Sequence, residues 1–120
     1  MALFPCLGGS GGTGPTLLWT NPSQGAGATF VAQKVSLDLS KYTGVIIGGK
    51  WTDRNGYLSE QIYVPKGTSN FFAPITIYAS YGYGRNVTVD ATGVTFSTGA
   101  TQSGEATGYN VCIPTTIYGV

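Results

Sequence analysis

The chain contains no histidine. That absence removes Ser-His and Cys-His nucleophile pairs, together with the commonest metal ligand. Side-chain chemistry would then fall to carboxylates, and the sequence offers Asp38, Asp53, Glu60, Asp90 and Glu105. Two of them at the right separation would run glycoside hydrolysis. Each has an ordinary structural role instead. Asp38 falls on the polar face of an alternating stretch, and Asp53 and Asp90 fall at turns, where Asp caps the backbone. Glu60 is mid-strand and Glu105 lies in a loop. The chain therefore reads as non-enzymatic. Calcium binding through Asp53 and Asn55 lacks a DxDxDG loop. GGSGGTG at 8–14 is no phosphate loop, because neither Lys-Ser/Thr nor a helix follows it. Cys6 and Cys112 have no Cys or His neighbours to complete a zinc site. No cofactor is expected.

Aromatic side chains remain as the groups able to recognise something. Trp51 and Tyr57 flank a hairpin tip, and Tyr78, Tyr81, Tyr83 and Tyr109 sit in or beside glycine-rich segments. Exposed rings stack on the apolar faces of sugars and also anchor protein interfaces. These six are candidate glycan or partner contacts. The competing expectation is that the rings fill the core or pack between subunits.

The bulk numbers narrow the class. With 120 residues, one domain with a real core is expected. Only 9% of residues are charged and the net charge is +1, so the chain has no basic stripe for nucleic-acid phosphates. No run of about 18 apolar residues exists to cross a membrane as a helix. MALFPCLGGSGG is not a signal peptide, lacking a basic start and interrupted by Pro5 and glycines. Cys6 and Cys112, near opposite ends, read as two separate reduced thiols, since nothing indicates an oxidising compartment.

The elements that must position these groups are strands. No segment holds a 3.6-residue apolar period over ten residues. From Phe30 to Trp51 the pattern is clearest. Val35, Leu37 and Leu39 alternate with Ser36, Asp38 and Ser40, giving one apolar and one polar face. Val45-Ile46-Ile47 suits a strand covered on both faces. Pairing of these two runs across Lys41–Gly44 would make a hairpin. Thr16–Thr20 is a short strand with Trp19 directed to the core. Val45–Trp51 and Tyr57–Val64 flank the Asn55-Gly56 turn. A strand is expected to begin after Pro74. Arg85–Thr98 reads as a hairpin, with Val87, Val89, Val94 and Phe96 on one side of a turn at Ala91-Thr92-Gly93. Ser97–Tyr109 reads as a long loop, and Val111–Tyr118 as a last strand with Pro114 at an edge or bulge. The expectation is an all-β fold, an antiparallel β-sandwich or jelly roll of about seven to eight short strands.

Residues 1–15 precede this domain, which spans 16–120. Leu3, Phe4 and Leu7 form an apolar tip on the glycine tether 8–14. The arrangement suits an extended N-terminal arm that docks on a partner.

Several segments in order also carry a resemblance. Leu17–Asn21, Phe30–Gln33, Val35–Ser40, Lys41-Tyr42 and Val45–Ile47, with NVTVDATGVTF at 86–96 and Cys112–Pro114 before Ile117–Gly119, resemble a β-rich module of phage and prophage tail-associated structural proteins. The likeness covers about Thr16 to Val120. It implies a virion protein of the tail fibre, tip or receptor-binding type, assembled in the host cytoplasm. It also implies a homotrimer, contacts with other virion proteins through the N-terminal arm, and a host-surface glycan as receptor. A capsid decoration or head-fibre protein and a carbohydrate-binding module are the alternatives. No binding residue carries over from the family.

Overall fold

A computed structural model describes residues 14–25, 27–50, 58–78, 81–109 and 111–120. It is an all-β molecule with two antiparallel sheets, consistent with a β-sandwich. Its strands are β1 (Thr16–Thr20), β2 (Gln33–Ser36), β3 (Gly44–Lys50), β4 (Leu58–Ser59), β5 (Gln61–Pro65), β6 (Phe71–Tyr78), β7 (Tyr81–Asp90), β8 (Gly93–Thr101), β9 (Ala106–Gly108) and β10 (Ile113–Gly119). The smaller sheet runs β1-β10-β3-β5, and the larger runs β2-β8-β7-β6-β4, with β9 also pairing β8.

The alternation from Val35 to Leu39 is realised in burial. Val35 and Leu39 are buried and Leu37 partly so, while Ser36, Asp38 and Ser40 are exposed. Its expected pairing is not. β2 pairs with β8, whereas β3 pairs with β10 and β5. The segment around Lys41 therefore crosses from one sheet to the other and is not a hairpin turn. The physical reason is that both runs have an apolar face to bury. Facing each other across the core buries both, while lying side by side would leave each uncovered. β3 itself is covered as expected, with Val45 and Ile47 fully buried and Ile46 partly so.

The hairpin at Asp90 forms in the expected register: Val89 pairs with Val94, Thr88 with Thr95 and Val87 with Phe96. Gly93 adopts a φ of 147°, and a Cβ there would stand 2.2 Å from the carbonyl oxygen of Val35. Glycine is what lets β2 lie against this turn. Two expectations fail beyond it. β8 runs on to Thr101 and β9 folds back on it, so 97–109 is a hairpin rather than a loop. Here the ladder is carried by Thr, Gly and Ala, which leave no apolar alternation to read. Similarly, β6 begins at Phe71, before Pro74. The register shift between Ala73 and Thr76 takes the proline out of the ladder, so its missing N–H costs no bond. Pro114, by contrast, stays in the ladder of the interior strand β10, opposite Gly49, and the register shifts just after it, before Thr116.

Val45, Ile47, Val64, Ile113 and Ile117 from one sheet meet Val35, Ala73, Ile75, Val87, Val89, Val94 and Phe96 from the other in the core. The sheets approach closely at β3 and β6, where a Cβ on Gly49 would lie 2.4 Å from Cδ1 of Ile75.

Candidate functional site

Arg85 is fully buried on β7, on the same parity as Val87 and Val89. Among the described residues no carboxylate reaches it. Its guanidinium is held by five backbone carbonyls. Nε donates to Cys112 at 2.8 Å; Nη1 donates to Phe30 at 2.6 Å and Ser97 at 2.9 Å; Nη2 donates to Val111 at 3.1 Å and Tyr109 at 3.3 Å. A guanidinium has five N–H donors, so each finds an acceptor. The reason lies in the sheet. β2 and β9 occupy successive parts of one edge of β8, and Arg85 collects carbonyls from the chain around their junction. Burial pushes its pKa down to about 10, so it remains a cation at neutral pH. Phe30 adds a ring 5.2 Å from the guanidinium carbon. In the sequence Arg85 marks only the start of the Arg85–Thr98 hairpin. Its place two residues before Val87 on an alternating strand was the available signal that it points inward.

From Arg85 the packing leads to the surface. Phe30 is buried and meets Phe96 edge-on at 5.4 Å on one side and Trp19 at 6.0 Å on the other. Trp19, expected in the core, is only half-buried. It also lines an open cleft of about 500 Å³. This cleft lies between β1 and β2, each an edge strand of its own sheet. Asn21 builds its floor: Nδ2 donates to the Pro114 carbonyl at 2.9 Å, and Oδ1 accepts the Ser23 N–H at 2.9 Å. Ser23, Thr29, Gln33, Lys34 and Ser36 line it and are exposed. The Leu37 N–H donates to the Thr92 carbonyl at 2.9 Å. With the β2–β8 register, that turns the backbone groups of Val35 toward β8 and leaves those of Lys34 and Ser36 on the open edge.

The cleft is nearly neutral. Among the described residues that line it the one charged side chain, Lys34, lies 3.7 Å from the Asp90 carboxylate and donates to the Thr92 hydroxyl. Asp90 in turn accepts from the Thr92 hydroxyl at 2.6 Å and the Thr92 N–H at 2.8 Å, and these bonds hold its pKa below the usual carboxylate value. Asp38 is likewise lowered by the hydroxyl and N–H of Ser40. Both acids serve their own turns. Glu105 belongs to the β8–β9 turn, where its N–H donates to Thr101 Oγ1 and its carbonyl accepts the Thr101 N–H. No cluster of metal-ligating side chains occurs among the described residues.

Of the sequence-derived aromatic candidates, Tyr83 and Tyr109 do not line the cleft. Tyr83 on β7 is half-buried and packs against the core. Tyr109 follows β9 and is 48% exposed, its carbonyl accepting the Phe30 N–H at 2.9 Å. Tyr78 and Tyr81 pair across β6 and β7. Trp51 and Tyr57, and the arm residues Leu3, Phe4 and Leu7, lie outside the described residues. The sequence reading missed Tyr63 and Tyr118. Register places Leu17, Tyr118, Ile46 and Tyr63 in one row across the outer face of the smaller sheet, with Leu17 and Tyr63 about half exposed. Its signal was the parity opposite to Val45, Ile47 and Val64.

Comparison with protein-family models, with curated proteins and with solved structures gave no match.

Proposed function

We propose that this chain is a non-enzymatic bacteriophage virion protein. Its sandwich projects from the particle, residues 1–7 dock on neighbouring virion proteins, and the exposed surface takes part in host attachment. The observation that carries the reading is the ordered set of segments resembling phage tail modules, from Leu17 to Gly119. Those segments coincide with β1, β2, β3, the β7–β8 hairpin and β10, the frame on which such a module would depend. Self-association is supported by the Leu17–Tyr118–Ile46–Tyr63 row, an uncharged aromatic and aliphatic strip of the kind that anchors interfaces. The lack of histidine and the turn-capping roles of Asp38 and Asp90 support a non-catalytic role.

Deletion of residues 1–14 tests the reading. The truncated protein should fold and fail to join particles that incorporate the full chain. Equal incorporation defeats the anchor. Electron microscopy of labelled protein on intact particles separates tail from head, where a decoration or head-fibre role would place it. A carbohydrate-binding module is the second reading, favoured by the Trp19 cleft between the sheet edges.

A further inference from the structure

We infer that the cleft between β1 and β2 is a binding site for a neutral oligosaccharide, with Trp19 as the ring on which a sugar packs. Two observations lead there. Trp19 is half-buried and fixed edge-on against Phe30, so its ring is presented to the cleft with little freedom to lose. Its indole N–H has no hydrogen-bond partner among the described residues, and neither do the hydroxyls of Ser23, Thr29 and Ser36 or Oε1 of Gln33. Sugar hydroxyls both donate and accept, which is what a mixed set of hydroxyls, an amide oxygen and an indole N–H can match. The apolar C–H face of a pyranose suits the indole ring.

Charge selects within sugars. Lys34 is already matched by Asp90 at 3.7 Å, so an acidic saccharide gains little there and must disturb the pair. The cleft volume of about 500 Å³ lies in the range of small-ligand sites, roughly 300–1,000 Å³. Its floor is fixed by the satisfied Asn21 and by Phe30, whose carbonyl Arg85 holds. An extended peptide adding to the open edge of β2 is the competing occupant. Such a strand would use the backbone groups of Lys34 and Ser36, and would leave the unpartnered hydroxyls of Ser23 and Thr29 without a role.

The assignment deepens the host-attachment reading by naming what would be bound. The test uses purified full-length protein. A positive result from a protein that never joins particles would leave the site standing and the virion reading fallen. Indole N–H signals are recorded by NMR on nitrogen-15-labelled protein during titration with trimers of glucose, galactose and N-acetylglucosamine, a galacturonic acid trimer, and glycerol. The Trp19 signal is assigned through Trp51→Phe or, if that variant does not fold, through Trp19→Phe. At least one neutral trimer should shift the Trp19 signal saturably, and more tightly than the acidic trimer. The double variant Gln33→Ala, Ser36→Ala should keep the folded spectrum and bind about tenfold more weakly. No saturable Trp19 shift with any neutral trimer overturns the assignment. So does an equal response to glycerol, or affinity unchanged in the double variant.

Discussion

Arg85 and Phe30 meet twice: Nη1 donates to the Phe30 carbonyl at 2.6 Å, and the guanidinium carbon lies 5.2 Å from the centre of the Phe30 ring. The first contact fixes the backbone just before β2, and the second fixes the ring against which Trp19 stands. A buried cation is costly unless its donors are met. Here every donor is met by a backbone carbonyl. The residue thereby ties the ends of β2, β9 and β10 to β7.

Arg85→Lys should be strongly destabilising although it keeps the charge. An ammonium has three donors and no planar fork, so it leaves some of the five carbonyls unmet. A loss of about 2–5 kcal/mol is expected, read as a lower midpoint in urea denaturation. Arg85→Met should lose a similar amount. A lysine variant that unfolds at the wild-type midpoint would show that the carbonyls find other partners.

Gly49→Ala should cost about 1–3 kcal/mol by overpacking, because its Cβ would stand 2.4 Å from Cδ1 of Ile75 across the interface between the sheets. Combining it with Ile75→Val removes the nearest of the clashing atoms and leaves Cγ1 at 2.7 Å and Cβ at 2.9 Å. The pair should therefore be less destabilising than the sum of the single changes. Strict additivity in thermal or urea unfolding would mean that the two residues do not meet.

Cys112 should be chemically silent in the native protein. It is fully buried, and burial pushes its thiol pKa up, against a smaller opposing effect from the Thr76 hydroxyl. Thiolate is the reactive form. In a Cys6→Ser background, a disulfide reagent at pH 8 should leave Cys112 unmodified until urea unfolds the chain. Rapid labelling of the folded protein would contradict the packing.

Asp90 predicts a particular acid response. Its native pKa lies below 3.8, chiefly through the Thr92 hydroxyl and N–H. The unfolded chain therefore takes up the proton first as pH falls. The stabilisation is complete above the unfolded value and is lost as pH drops through the native one. The stability gap between wild type and Asp90→Asn should be constant at pH 6 and above, and should shrink below pH 3.8. A gap that grows on acidification reverses the sign and refutes the assignment. The Lys34 pair at the surface should add little to it.

Strand identity was legible wherever β-branched and aromatic residues alternate with polar ones. Val35 and Leu39 declared an inward face, and so did Val87, Val89, Val94 and Phe96, because a strand places every second side chain on one side. The turn at Ala91-Thr92-Gly93 was legible for its glycine, which the approach of Val35 requires.

Which strands pair was not written locally. The runs around Val35 and Val45 are adjacent in sequence and lie in different sheets, since only the finished core shows that two apolar faces are best buried against each other. The same holds for Arg85. Its inward parity was in the sequence, but its acceptors are carbonyls of Phe30, Ser97, Tyr109, Val111 and Cys112, which backbone geometry alone can gather. The cleft is tertiary in the same sense: Trp19 and Ser36 become neighbours only because β1 and β2 end their respective sheets on the same side.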